Sequence, residues 1–147
     1  MGEAREVRSE AGVRRVVPFF GVRDLEVARR FYVDGLGFEI TRQWVDDGKL
    51  RWCWLELGGA AMMLQEFWRE GRHRNVPETP VGVGVSVAFI CDDAVELYHA
   101  FVARGVDATR PVVGNGMWVT NVVDPDGYQL FFESPTDVAE DTALADD

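Results

Sequence analysis

The chain has 147 residues, of which 47% are hydrophobic and 27% charged, values typical of a globular protein long enough for a sizeable core. No apolar run approaches the roughly 20 residues of a membrane span, and the charged N-terminus lacks the apolar segment of a signal peptide, so a cytoplasmic protein without a membrane partner is expected. The net charge of -10 argues against nucleic acid as a partner, because phosphate binding needs clustered Lys and Arg, and it leaves room for a cationic small molecule.

The first half of the chain predicts one βαβββ unit at residues 15–67, after a flexible lead-in at residues 1–14. An apolar strand precedes a helix that Asp24 caps and that ends before Gly35. Three further strands are expected at residues 38–45, 50–57 and 61–67, with turn residues between them.

The second half repeats this order at residues 85–134. A linker or surface flap is expected at residues 68–84, where charged residues, two prolines and three glycines interrupt the pattern. A strand and a helix that Asp93 caps come next, followed by three strands, the last two joined by a tight turn at residues 124–127. Residues 135–147 carry five acids and no base, which predicts a disordered acidic tail.

The two halves form an internal repeat with a period of about 69 residues. Asp24 corresponds to Asp93, and alignment of Gly59 with Gly127 places Met63 on Phe131 and Gln65 on Glu133. The predicted fold is α+β, with two βαβββ modules that form a curved mixed sheet around a central cleft and helices on the outer face.

Three motifs occur in order on this doubled frame: residues 22–26 (VRDLE), residues 31–38 (FYVDGLGF), and residues 124–127 (DPDG) with a strand that ends at Glu133. Together they resemble the vicinal oxygen chelate superfamily, which contains glyoxalase I, extradiol dioxygenases and bleomycin resistance proteins. The resemblance covers residues 15–134 and favours the bleomycin resistance branch.

Enzymes of this superfamily generally hold a divalent metal through four ligands, usually His, Glu or Gln, from the first and last strand of each half. The resemblance places those positions at Val17, Met63, Ser86 and Phe131. None of these side chains is a good donor for a divalent cation. Neither histidine replaces them, since His73 lies in the predicted linker and His99 on the polar side of the second helix. We therefore expect no metal or other cofactor, and an enzymatic role is disfavoured but left open.

Side chains alternate across a strand, so strand pairing predicts which residues share the cleft face. The second turn is expected to be flanked by Val123 and Tyr128, a register in which Trp118 lies opposite Glu133 and Thr120 opposite Phe131. The same register in the first half pairs Trp52 with Met63 and Trp54 with Ala61. The predicted ligand-binding residues are Phe19, Trp52, Trp54, Met63, Gln65, Ser86, Trp118, Phe131 and Glu133. The two cysteines, Cys53 and Cys91, are expected on the opposite, helix-packed face.

A cleft walled by aromatic and methionine side chains suits a flat heteroaromatic ligand. The leading hypothesis is a metal-free protein, similar to the bleomycin resistance branch, that sequesters a planar antibiotic or metabolite, with a cationic one allowed by the charge. Two alternatives stay open: a metal-dependent lyase, epimerase or dioxygenase of the same superfamily with unusual ligands, and a small-molecule sensor module. The resemblance also implies a homodimer, often with swapped strands and two pockets at the interface.

Overall fold

The computed structural model describes residues 7–146 and contains two βαβββ modules in sequence. The first consists of β1 (Phe19–Val22), α1 (Leu25–Arg29) with a π-helical continuation (Arg30–Gly35), β2 (Glu39–Asp46), β3 (Lys49–Leu57) and β4 (Ala60–Glu66). The second consists of β5 (Ser86–Ile90), α2 (Ala94–Ala103), β6 (Ala108–Gly114), β7 (Met117–Val123) and β8 (Gln129–Pro135). The predicted α+β class and the two modules are confirmed.

Each module folds into a four-stranded mixed sheet. The strand orders are β1-β4-β3-β2 and β5-β8-β7-β6, with β1 and β5 parallel to their only neighbour and the other pairs antiparallel. Because β1 and β5 each have one hydrogen-bonded neighbour, each keeps a free edge. Among the described residues, no helix is long and apolar enough to cross a membrane.

The helices begin where the sequence predicts, and the last strand of each module fixes their start. The carboxylate of Asp24 accepts hydrogen bonds from the first turn of α1, and that of Asp93 does the same for α2. Beside these caps, the buried Glu66 carboxylate accepts from the Leu25 N–H at 3.0 Å and the Ser134 hydroxyl from the Ala94 N–H at 2.8 Å. The repeat therefore extends to the way each helix is attached to its sheet.

The two modules pack through the helix side of both sheets, where one hydrophobic core is shared. The Phe20 and Tyr128 rings stack with centroids 3.8 Å apart, and Phe38 meets Phe89 edge to face at 6.0 Å. Each sheet therefore keeps a second face, directed away from the shared core, which we call its open face. Phe19 of β1 is 53% exposed on this face and Ile90 of β5 is 69% exposed.

The register of the second hairpin differs from the prediction by one residue. Val123 pairs with Gln129, so Tyr128 belongs to the turn, and Trp118 lies opposite Ser134 rather than Glu133. A shift of one residue moves every side chain of β7 to the other face. In the first hairpin the predicted register is off by two, with Trp52 opposite Gln65 and Trp54 opposite Met63, so the predicted face is kept.

The chain ends also differ in part from the prediction. Residues 141–144 of the predicted disordered tail lie along β6, with backbone hydrogen bonds of 2.9 Å at Pro111 and Val113. These hydrogen bonds satisfy backbone groups of β6, and amino-acid composition could not predict them. Asp146 also forms an ion pair with Arg110 at 2.7 Å. Of the predicted flexible lead-in, residues 1–6 lie outside the described residues, as does residue 147 of the tail, and residues 7–14 are exposed and contain only a turn.

Candidate ligand site on the open faces

The open face of the first sheet carries adjacent apolar side chains from three strands. Met63 of β4 lies between Phe19 of β1 and Trp54 of β3, and the next pair on the same face is Gln65 with Trp52. Phe19, Met63, Gln65 and Trp52 keep part of their surface exposed, whereas Trp54 is only 9% exposed. The five residues that the sequence assigned to this half of the site therefore lie together.

Trp54 is covered by two cations. The guanidinium carbons of Arg15 and Arg42 lie 5.2 and 4.3 Å from the centre of its rings. Such contacts are favourable because the face of an indole carries negative potential. Because Trp54 is 9% exposed and lies beneath these arginines, Trp52 and Met63 offer a ligand more accessible surface.

The open face of the second sheet is centred on Phe131 of β8. Its neighbours are Ala88 of β5 on one side and Asn121 of β7 on the other, while Glu133 lies between Ile90 and Val119. Phe131, Asn121 and Glu133 are each part-buried. Ser86, the first residue of β5, also lies on this face and is exposed.

Asn121 is a candidate that the sequence analysis missed. Its side-chain oxygen is buried and has no hydrogen-bond partner among the described residues. A buried polar atom without a partner is costly, and a donor group of a ligand would remove that cost. The predicted register placed Thr120, rather than Asn121, opposite Phe131. Asn121 would have been predicted there if Tyr128 had been assigned to the turn instead of to the strand.

Trp118 and Thr120 are not on the open face. Thr120 is fully buried against α2, where its hydroxyl donates to the Ala94 carbonyl at 2.7 Å, and Trp118 shares its side of the sheet. The prediction that Trp118 lies on the cleft face is therefore wrong, because the register of the hairpin differs by one residue from the predicted one. Cys53 is fully buried and Cys91 packs against the core, both on the helix side as expected.

The positions of the usual metal ligands offer no donor set. Val17 precedes β1, Met63 and Phe131 are apolar members of the open faces, and Ser86 lies on β5. Within residues 7–146 no three His, Cys, Asp or Glu side chains form a group that could hold a metal ion, and both His73 and His99 are exposed. The residues present do not fit a divalent cation.

A family model described as the glyoxalase/bleomycin resistance protein/dioxygenase superfamily matches residues 14–132. No curated protein matches the chain by sequence alone. Several solved structures share the fold at low sequence identity.

Three of these structures are similar over most of both chains. TioX from Micromonospora sp. ML1 is 21% identical, with 84% of this chain and 99% of that chain covered and a TM-score of 0.65. TnmS3, an antibiotic-binding protein from Streptomyces sp. CB03234, is 22% identical with coverages of 83% and 97% and a TM-score of 0.61. A bleomycin-binding protein complexed with bleomycin is 21% identical with coverages of 83% and 98% and a TM-score of 0.63.

Proposed function

The chain belongs to the glyoxalase/bleomycin resistance protein/dioxygenase superfamily, and from this membership we propose that it binds and sequesters a planar small molecule, an antibiotic or a related metabolite, without a metal ion. One observation carries the proposal: the open faces offer the aromatic surface of Trp52 and Phe131 beside few polar groups, and no donor set for a cation. Sequestration needs no chemistry, because a ligand held between aromatic side chains cannot reach its target.

Three polar groups fix the orientation of the ligand in this proposal. The Asn121 carbonyl takes a donor of the ligand, Gln65 takes a donor or an acceptor, and the Glu133 carboxylate takes a cationic group. Arg42 of β2 and Arg15, which precedes β1, lie over Trp54 and repel a cation at the first sheet. A cationic ligand is therefore bound with its charge towards the second sheet.

The proposed pocket forms in a homodimer. The two open faces of one chain lie on the sides of the sheets that the shared core does not use, and both carry exposed apolar side chains. In a twofold dimer, the first open face of one copy and the second open face of its partner enclose two equivalent pockets. The exposed Phe19 and Ile90 then become buried.

Two structural relatives support the class of ligand. TnmS3 is described as an antibiotic-binding protein, and another relative was solved with bleomycin. A planar antibiotic is therefore the first ligand to test.

The test is a calorimetric titration of the purified chain with bleomycin and with a panel of planar aromatic antibiotics, with and without EDTA. We expect saturable binding to at least one compound that EDTA does not change. Phe131→Ala weakens this binding by more than about 1 kcal/mol if stacking carries the affinity. Trp118→Phe is the matched control, because it alters an aromatic residue of the same hairpin on the opposite face.

The proposal fails on either of two results. One is a near-stoichiometric metal that survives dialysis in elemental mass spectrometry, together with ligand binding that requires it. The other is an affinity that Trp118→Phe lowers and Phe131→Ala leaves unchanged, which would place the ligand on the wrong side of the sheet.

A further inference from the structure

A groove lies along the free edge of β5 and reaches the second open face at Ala88 and Ile90. It has a volume of about 670 Å³, within the range of small-molecule sites. The turn between β3 and β4 forms one wall, and β5 with the start of α2 forms the other. Its lining includes Ala60, Ala88, Phe89, Ile90, Cys91 and Asp92.

The internal repeat supplies the counterpart of this groove at the free edge of β1, where a side chain of the protein fills it. Tyr128 stacks on Phe20 at 3.8 Å with the rings 4° from parallel, and its hydroxyl donates to the Gly21 carbonyl at 2.9 Å. The Asp126 carboxylate accepts from the Arg23 N–H at 3.1 Å in the same place. A phenol ring and an acceptor thus occupy the first edge.

The second edge has a comparable aromatic platform, in which Phe89 stacks on Phe132 with ring centroids 4.8 Å apart, but it lacks a counterpart of Tyr128. Strand pairing matches Phe19 and Met63 with Ala88 and Phe131, which gives the correspondence of the two halves. By that correspondence Phe89 takes the place of Phe20, Ile90 that of Gly21, and Asp92 that of Arg23. Ala60 corresponds to Tyr128, so the β5 edge has only a methyl group at the position where the β1 edge has a phenol ring.

The backbone of β5 presents the matching hydrogen-bonding groups. The Val85 carbonyl and the Cys91 N–H bond to β8. In a parallel ladder alternate residues bond to the same neighbour, so the N–H and C=O of Ile90 point towards the free edge. The groove therefore combines an aromatic platform, an outward carbonyl and the backbone N–H of Asp92.

We propose that this groove is a second small-molecule site that takes a planar phenol, with its ring packed against Phe89 and its hydroxyl donating to the Ile90 carbonyl. The site goes beyond the proposed sequestering function, because the ring of its ligand packs on Phe89 beside Cys91, on the helix side of β5, and Phe131 does not line the groove. If the ligand carries a hydrogen-bond acceptor next to its phenol ring, that acceptor is placed to accept from the backbone N–H of Asp92.

Cys91 provides a local reporter for binding. Cys91 lines the groove and its thiol donates to the Glu133 carbonyl at 3.5 Å, whereas Cys53 is fully buried. We would measure the rate of Cys91 alkylation by iodoacetamide, by mass spectrometry, with increasing 2-naphthol. 2-Methoxynaphthalene is the matched compound, since it keeps the rings and lacks the donor. We expect 2-naphthol to protect Cys91, with at least about fivefold weaker protection by the methyl ether, the value of one hydrogen bond.

Two neighbouring substitutions test the location. Ala60→Tyr supplies the ring that Tyr128 supplies in the other half, so we expect it to abolish protection by 2-naphthol. Ala61→Tyr is the control, because residue 61 lies on the open face beside Glu56 and leaves the groove unchanged. If Ala60→Tyr does not fold, Ala60→Leu fills less of the groove and is expected to weaken protection.

The outcomes separate this proposal from the sequestering function. Protection that survives Ala60→Tyr in the folded protein, or equal protection by the two naphthalenes, overturns the phenol site. Protection lost in Phe131→Ala and kept in Ala60→Tyr assigns the compound to the open face and also overturns it. Protection lost in Ala60→Tyr and kept in Phe131→Ala supports it, whether or not any antibiotic binds.

Discussion

Tyr32 and Asp124 join the two modules through a buried hydrogen bond, from the tyrosine hydroxyl to the carboxylate at 2.7 Å. The other carboxylate oxygen accepts from the N–H groups of Asp126 and Tyr128 and so shapes the second turn. Burial raises the pKa of the Asp124 carboxyl, and the hydrogen bond from Tyr32 opposes that rise. One side chain thus sets both the module contact and the conformation of the turn that holds Tyr128.

We expect Tyr32→Phe to lower the free energy of unfolding by about 1.5–3 kcal/mol, as is typical for a hydrogen bond to a charged group. Urea unfolding measures this change. Tyr98→Phe is the control, since the Tyr98 hydroxyl on α2 makes no hydrogen bond within residues 7–146. Without the hydroxyl the pKa of Asp124 rises further, so the loss is present above that pKa and shrinks as pH falls through it. A loss that grows at low pH would contradict this account.

The Cys53 thiol makes the stability depend on pH in the alkaline range. Burial raises its pKa from 9.0 to about 11. A raised pKa gives stability that is present below the unfolded value and is lost as pH rises through the folded value. Between pH 9 and about 11 we expect the free energy of unfolding to fall with a contribution from this thiol of up to about 1.4 kcal/mol per pH unit.

Urea titrations of the parent chain and of Cys53→Ala at several pH values measure this contribution. The loss of packing caused by the substitution does not vary with pH. The titration of Tyr32 affects the free energy of unfolding of both proteins equally, so it does not alter their difference. The Cys53→Ala profile is therefore expected to be flatter above pH 9. Parallel profiles would show that the folded thiol titrates like the unfolded one.

At the scale of elements, β6 is an edge strand covered by the chain end. The backbone of residues 141–144 bonds to Pro111 and Val113, and the Glu140 carboxylate accepts from the N–H groups of Asn115 and Gly116 in the β6–β7 turn. Covering an edge in this way also protects it from pairing with another chain. The acidic composition of this segment therefore accompanies an ordered structural role.

We expect truncation after Thr136 to lower the free energy of unfolding by about 1–3 kcal/mol, because several backbone hydrogen bonds of about 0.5–1.5 kcal/mol each are lost and the entropy cost of ordering the segment is recovered. Asp146→Asn is the control. It removes only an ion pair in which the side chains of Arg110 and Asp146 are 43% and 87% exposed, so we expect a change below about 0.5 kcal/mol. Urea unfolding distinguishes the two, and equal stability of the truncated and full chains would show that the segment only rests on β6.

At the scale of the whole molecule, the shared core decides which faces remain free for a ligand. The helix sides of both sheets meet in this core, so in the proposed function a second copy encloses the pocket on the open faces. Phe19 and Ile90 are exposed in the single chain, and the proposed dimer would bury them. Oligomeric state and ligand binding are therefore linked in the proposed function.

Light scattering after size exclusion tests the assembly directly. We expect a dimer at micromolar concentration that Phe19→Glu converts to monomer, because a charge would be buried without a partner. Val102→Glu is the control, since Val102 is 47% exposed on α2, away from the open faces. A monomeric parent chain would contradict the assembly.

Mixed dimers test which faces meet. Trp52→Ala damages the first open face and Phe131→Ala the second, so each variant alone has two damaged pockets. A mixture that exchanges subunits at random contains about a quarter intact pockets if each pocket uses two copies. Calorimetric titration with a confirmed ligand should then recover about that fraction of high-affinity sites. No recovery after verified exchange would place both walls of the pocket in one chain.

The sequence by itself determined the α+β class, the repeat and the helix starts, because these depend on local features such as the caps at Asp24 and Asp93. It also determined the open face of the first sheet, since a register error of two residues leaves every side chain on the same face. It could not determine the face of Trp118. Tyr128 leaves its strand to stack on Phe20 of the other module, and that distant contact accompanies the register that places Asn121 on the open face. The tail, the groove at β5 and the separation of the open faces were likewise decided by tertiary structure, because each depends on which surfaces of the two modules meet.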